Sequence, residues 1–314
     1  MKVIFMGTPD FAVPSLQAIY DAGHEIVGVV TQPDRARNRG VISFSPVKQK
    51  ALELGLKVFQ YEKVRLEGTE ELSSLGADVA VTCAYGQILD RKLLDMTPCG
   101  VLNVHASLLP KYRGSSPIQW AVINGEKITG ITVMKTALGV DTGDILLQKE
   151  VEILPEETAG ELFDRLSTVG GECIVEALDL VKDGKATFTP QSEEEATHYP
   201  MFTKDSGKLD FSKSAEELVN FIRGTNPWPS AFCKLSGKTF KIWKARKLRS
   251  DEPSNRRFYM NGEMATFFGK LCVACGKGEF LVLQEVQLEG GKRMSADDFM
   301  RGHADLNGVM LTNE

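Results

Sequence analysis

No stretch of this sequence approaches the roughly 18 uninterrupted apolar residues of a membrane span, so an integral helical membrane protein is excluded. Six cysteines are scattered through 314 residues, which excludes a disulfide scaffold. The four histidines and six cysteines form no ligand cluster, and no metal is expected. Cys272-Val273-Ala274-Cys275 has no second cysteine pair and reads as strand rather than as a zinc site. His24, His198 and His303 stand alone and read as surface or core groups. Gly7-Thr8-Pro9 follows the first apolar run where a dinucleotide-binding protein would carry GxGxxG. That absence argues against a nicotinamide dehydrogenase. There is no internal repeat and no low-complexity tract. Met1-Lys2 leads directly into Val3-Ile4-Phe5-Met6, leaving no room for a signal peptide, and a cytoplasmic protein is expected. With no obvious dimer element, a monomer is expected.

What the chain does contain points to two domains, each long enough to bury its own core. The net charge of −5 conceals an asymmetry. Residues 1–204 hold 20 basic against 28 acidic side chains, a net of −8, and residues 205–314 a net of +3. Within Lys234–Arg257 there are nine basic residues and two acidic ones, a local density suited to a polyanion, although a lysine-rich solvated strand face would look the same.

The first part alternates strand and helix patterns. Buried strands are expected at Lys2–Met6, Val27–Thr31, Ala77–Cys83 and Val101–His105, with Lys57–Phe59 extended. Helical spacing runs through Val13–Tyr20, Pro46–Leu54, Glu70–Leu75 and Leu162–Val181. This alternation predicts an α/β domain with a Rossmann-like, mostly parallel sheet covered on both faces. The polar stretch from Gln191 reads as a linker, giving domains at 1–190 and 206–314 joined by 191–205. Beyond the helical Ala215–Arg223, short strands at Phe232–Leu235, Thr239–Ala245, Lys270–Ala274 and Phe280–Val286 predict a small C-terminal β-barrel.

The chemistry concentrates between Gly100 and Asp144. Asn103 and His105 are two residues apart, an alternation that sends both to one face of a strand. His105 closes that strand, where ligands of parallel sheets bind. The loop Ser107-Leu108-Leu109-Pro110 follows, and Asp141 sits in the glycine-flanked turn Gly139-Val140-Asp141-Thr142-Gly143-Asp144. An amide to stabilise an oxyanion, an imidazole to carry protons and a carboxylate to orient it are the parts needed to move an acyl or formyl group. Gly139 and Gly143 are expected to permit the backbone geometry that aims Asp141 inward, while Asp144 reads as structural.

The NxH…SLLP…DTGD combination resembles the folate-dependent formyltransferase family, and the resemblance covers nearly the whole chain. Further matches are Phe5-Met6-Gly7-Thr8-Pro9-Asp10-Phe11, Thr31-Gln32-Pro33-Asp34-Arg35, Asn226-Pro227-Trp228-Pro229, Gly290-Gly291-Lys292-Arg293-Met294 and Phe299-Met300-Arg301-Gly302. These look like the members that act on an aminoacylated tRNA. The resemblance implies a formyltransferase fold with an OB-like C-terminal barrel. It implies Asn103, His105 and Asp141 as catalytic residues, and Tyr85, Gly86, Gln87, Ile88, Ser107, Leu108, Leu109 and Pro110 as the folate pocket. The implied donor is 10-formyltetrahydrofolate and the implied acceptor the free α-amine of initiator methionyl-tRNA, for translation initiation. Arg39 matches the family's acceptor-end arginine, and Lys241, Lys244 and Arg246 are the expected tRNA contacts of the second domain. The chain departs from the pattern in two places. Val41-Ile42-Ser43-Phe44 stand where further lysines usually follow Arg39-Gly40, and Asp90 stands where proline is customary. A formyltransferase acting on a nucleotide sugar's amine is the competing reading. A non-catalytic RNA-binding protein would not need Asn103, His105 and Asp141 together.

Overall fold

The computed structural model describes residues 1–37, 41–249, 258–303 and 305–313. Contacts divide the chain into two compact units, both discontinuous in sequence. The first comprises Met1–Pro117, Ile128–Glu152 and Phe163–Tyr199, and the second Ile118–Lys127, Ile153–Leu162 and Pro200–Glu314.

In the first unit, strands run in chain order as β1 (Lys2–Gly7), β2 (Glu25–Thr31), β3 (Arg35–Arg37), β4 (Val41–Ser43), β5 (Val58–Gln60), β6 (Val79–Cys83), β7 (Val101–His105), β8 (Ile128–Lys135) and β9 (Ile145–Glu152). Seven of them form one sheet, ordered β5-β2-β1-β6-β7-β8-β9. Its members from β5 to β7 are parallel, and β8 and β9 add an antiparallel edge. Val3, Ile4, Phe5 and Met6 are fully buried, as a strand covered on both faces demands. The outermost strand β9 carries exposed Gln148, Lys149 and Glu150, charges and amides that discourage further strand pairing. The helix Ala159–Lys182 comes close to the chain at Pro14, because a Cβ on Gly171 would lie only 3.0 Å from the Pro14 carbonyl oxygen. Phe163 meets Phe11 edge-on at 5.1 Å.

The edge pair β8–β9 was not expected from sequence. Gly130 interrupts the apolar run of β8, which weakens a strand pattern. That glycine is there for space, since a Cβ would lie 2.2 Å from Lys149 O and 2.6 Å from a methyl of Leu108.

The second unit holds β10 (Ala231–Leu235), β11 (Lys238–Lys247), β12 (Met264–Phe267), β13 (Lys270–Cys275), β14 (Glu279–Leu288), β15 (Met294–Ser295) and β16 (Leu311–Thr312). Their order is β12-β13-β14-β11-β10-β16, with β15 added to β14, and every pairing is antiparallel. Phe240, Ile242, Leu283 and Phe299 pack there with Leu218 and Ile222 of the helix Ala215–Gly224. That helix starts at a capping box, Ser214 and Glu217 each satisfying the other's backbone N–H. No closed barrel is seen among the described residues of this unit, whose ladders form one antiparallel sheet. Its terminal strands are only four and two residues long and share no ladder. No described helix is long and apolar enough to cross a membrane.

Candidate active site

β6 and β7 are parallel neighbours, Thr82 beside Asn103 and Cys83 beside Val104. Their carboxyl ends release two loops side by side, 84–90 and 106–114. Strand alternation puts Asn103 and His105 on one face, with His105 only 7% exposed. The Thr82 hydroxyl donates to Asn103 Oδ1 at 2.8 Å, which turns the amide hydrogens of Asn103 away from Thr82. His105 Nε2 faces the Tyr112 carbonyl oxygen at 2.9 Å. A carbonyl only accepts, so this nitrogen carries the hydrogen and Nδ1 is left for exchange.

Asp141 comes to that second nitrogen. Its Oδ2 lies 3.7 Å from His105 Nδ1 and accepts the Gly114 backbone N–H at 2.8 Å. The left-handed backbone the turn requires falls on Asp141 itself, at φ 53°, rather than on the flanking glycines. Such a conformation costs on the order of 1–3 kcal/mol in a non-glycine residue and is kept only where the surroundings enforce it. Gly143 serves close approach instead, since a Cβ there would lie 1.7 Å from Lys135 O. Gly139 likewise makes room for the side chain of Thr142.

The loop after β7 is held by a residue the sequence did not single out. Thr132 of β8 is fully buried, and its hydroxyl donates to Ser107 O at 2.6 Å while accepting from Leu109 N at 3.1 Å. Gln148 of β9 donates to that hydroxyl and to Leu109 O, both at 2.9 Å. Ser107 donates to Lys111 O at 2.7 Å, and Leu109 is buried. Thr132→Val removes one donor and one acceptor from a dry site, costing about 1–3 kcal/mol. Melting curves should show a Tm lower by roughly 3–10 °C, because the Ser107–Pro110 loop loses its anchor.

The loop after β6 is fixed differently. The Tyr85 carbonyl accepts from Thr8 Oγ1 at 3.3 Å and Gln32 Nε2 at 3.2 Å. Gly86 takes φ 80°, a geometry suited to glycine. Gln87 is a brace: its Oε1 accepts from Val64 N at 2.8 Å and its Nε2 donates to Tyr61 O at 2.8 Å. Ile88 is 72% exposed. Burial pushes the Tyr85 phenol up, so it stays neutral. Asp90, the departure from the family pattern, caps the short helix Arg91–Leu94 by accepting from Leu93 N at 3.1 Å. A cavity of about 520 Å³ opens beside this loop, lined in part by Thr8, Gln32, Arg35, Gly86 and Gln87.

Cys83 ends β6 next to these groups. Burial pushes its thiol up to about 12, outweighing the opposing hydrogen bond from Ser15. The thiol is therefore neutral and poorly suited to form a covalent acyl intermediate. Among the described residues, no group of three or more His, Cys, Asp or Glu side chains could hold a metal ion.

Of the expected tRNA contacts, Arg39 lies outside the described residues, as does the part of the basic run from Ser250 to Arg257. The segment after Arg39-Gly40 begins β4, which pairs antiparallel with β3. Lys241, Lys244 and Arg246 lie on β11 of the second unit, where the register slips between Ile242 and Ala245. Trp243 sits in that irregularity. Lys241 Nζ is 5.3 Å and Arg293 Cζ 4.9 Å from its ring centre, and its indole N–H donates to Gln287. Lys244 pairs with exposed Glu156 at 3.1 Å, and Arg246 donates to Lys247 O.

Residues 1–178 match the formyl transferase family and residues 201–304 its C-terminal domain. The methionyl-tRNA formyltransferase of Agathobacter rectalis is 49% identical over 305 residues, covering 96% of each chain. That of Alkaliphilus oremlandii is 45% identical over 99% of each chain. The solved structure of an N-formyltransferase from Helicobacter canadensis, in complex with folinic acid and dTDP-3-aminofucose, superposes with a TM-score of 0.67. It covers 90% of this chain and 99% of its own at 20% identity, so it shares the fold. The chain belongs to the formyl transferase family.

Proposed function

We propose that the protein transfers the formyl group of 10-formyltetrahydrofolate to the α-amine of methionine on initiator methionyl-tRNA, with Asn103, His105 and Asp141 as its catalytic residues. The observation that carries this reading is the near-end-to-end match, at 45–49% identity, to proteins named methionyl-tRNA formyltransferases. The convergence of amide, imidazole and carboxylate at the end of β7 supplies the means.

The folate co-substrate supplies an activated formyl carbon. Of the expected folate residues, Gly86 and Gln87 line a cavity of about 520 Å³, a volume within the usual range for ligand sites; Ser107–Pro110 and the three catalytic candidates are not in its lining. When the methionine amine adds to the formyl carbon, negative charge develops on the formyl oxygen. The Nδ2 hydrogens of Asn103, turned away from Thr82, are its donors. The attacking nitrogen must lose a proton and the departing folate nitrogen must gain one. With Nε2 committed to Tyr112 O, His105 moves protons through Nδ1, and Asp141 at 3.7 Å stabilises the charged imidazole and shares the relay.

The second unit is assigned to the tRNA, with Lys241, Lys244, Arg246 and the Arg39 loop as phosphate or acceptor-end contacts. We read it as an OB-like barrel. A bridge between Glu263 and Met310 supports this, as do hydrogen bonds from Met264 N to Val309 O and from Leu311 N to Gly262 O. They bring the start of β12 to the start of β16.

The test is acceptor choice. With 10-formyltetrahydrofolate as donor, initiator methionyl-tRNA should be formylated and a nucleotide-linked amino sugar left unmodified. Formylation of the sugar amine in preference to the tRNA would overturn the assignment.

A further inference from the structure

Three side chains behind Asp141 have no part in the transfer described above. Arg113 is 2% exposed, and its guanidinium can only donate. Its Nε and Nη2 donate to Gln191 Oε1 at 3.1 and 2.9 Å. Its Nη1 and Nη2 donate to the two oxygens of Glu193 at 2.9 and 2.8 Å. Because Arg113 occupies the carbonyl side of the Gln191 amide, the nitrogen must face the other way. There it donates to Asp141 O at 2.8 Å and to Gly143 O at 2.7 Å. Both N–H groups and both acceptor positions of Gln191 are thus used, and the amide cannot flip without losing all four bonds.

The carbonyls it grips belong to the turn that carries the Asp141 carboxylate. Arg113 itself lies between Tyr112, whose carbonyl faces His105 Nε2, and Gly114, whose N–H meets Asp141 Oδ2. One guanidinium therefore ties the backbone that orients the imidazole to the side chain that holds the carboxylate's turn. The Arg113 hydrogen bonds hold the Glu193 carboxyl below the usual carboxylate range, so this end of the chain of contacts stays charged at neutral pH.

Resting on the catalytic reading of His105 and Asp141, we propose that Gln191, oriented by Arg113, is a positioning residue that sets the distance and angle between the Asp141 carboxylate and the imidazole. Its substitution should slow the chemical step while leaving both substrates bound.

Gln191→Glu keeps an acceptor for Arg113 but places an oxygen against the Asp141 and Gly143 carbonyls. It should lower kcat about ten- to a hundredfold, with KM for folate and tRNA changed by less than about threefold. In an Asp141→Asn background the same change should cost no more than about twofold, because its effect passes through Asp141. An unchanged kcat, a loss expressed in KM, or an equal loss in both backgrounds would overturn the proposal. If Asp141→Asn is slow and Gln191→Glu is not, positioning fails alone. If Asp141→Asn runs near the normal rate, the catalytic reading fails with it. Should Gln191→Glu fail to fold, Glu193→Ala alters an exposed partner of Arg113. It should lower kcat about three- to tenfold, again only while Asp141 is intact, and a normal kcat overturns the proposal.

Discussion

Asn103→Ala and His105→Ala should each lower kcat by about two or more orders of magnitude while folate affinity stays within about threefold. Asn103 offers a donor to charge that exists only during transfer, and one preorganised donor of this kind is worth about 3–4 kcal/mol. Thr82 holds that amide by its oxygen, so no rearrangement is needed when the charge appears. His105 cannot be replaced by a neighbour as proton carrier. Its Nε2 is occupied by Tyr112 O, and the burial-raised Cys83 thiol, in register with Val104 and so on the opposite face of the sheet, stays protonated. Far-UV spectra and melting curves should match the unsubstituted protein within a few degrees, since neither side chain anchors a core cluster. Turnover within about threefold of normal in either variant would remove that residue from the mechanism.

Neutralising Lys241, Lys244 and Arg246 together by glutamine should weaken tRNA binding at least about tenfold at low salt and flatten its salt slope by up to about three units. Lys244 is paired with Glu156, but both side chains are well exposed. Such a pair is worth only about 0–1 kcal/mol, so a phosphate displaces the carboxylate at small cost. Lys241 and Arg293 border the Trp243 ring, giving this strand an aromatic surface next to its charges. The folate KM should not move. Filter binding at several ionic strengths checks the prediction. An unchanged slope would withdraw the second unit's β11 from the tRNA contact.

Much of this was legible in the residues because two periodicities coincided with chemistry. Val101–His105 alternates into a buried strand and ends on its imidazole, and Gly139–Asp144 has the composition of a turn that presents a carboxylate. The strands β10, β11, β13 and β14 of the second unit were readable for the same reason. What escaped is long-range and specific. Gln191 and Glu193 lie in a polar stretch that looks like solvated linker, yet residues up to Tyr199 belong to the first unit. Hydrophobic patterning carries no record of which polar residue meets a buried guanidinium. Thr132 and Gln148 sit on an antiparallel edge whose pattern is broken by Gly130 and by outward-facing charges. The strained backbone of Asp141 follows from tertiary contacts, so the neighbouring glycines drew the expectation instead. Asp90, where proline is customary, becomes intelligible once its oxygen is seen capping a helix.

The central claim is that imidazole and carboxylate act as one unit, and single-turnover formyl transfer with both substrates saturating tests it most directly. His105→Ala, Asp141→Asn and the double variant are compared with the unsubstituted protein. Residues that work through each other are strongly non-additive. The double variant should therefore be no more than about threefold slower than His105→Ala alone. Losses that multiply across the two substitutions, or an Asp141→Asn rate equal to normal, would contradict it.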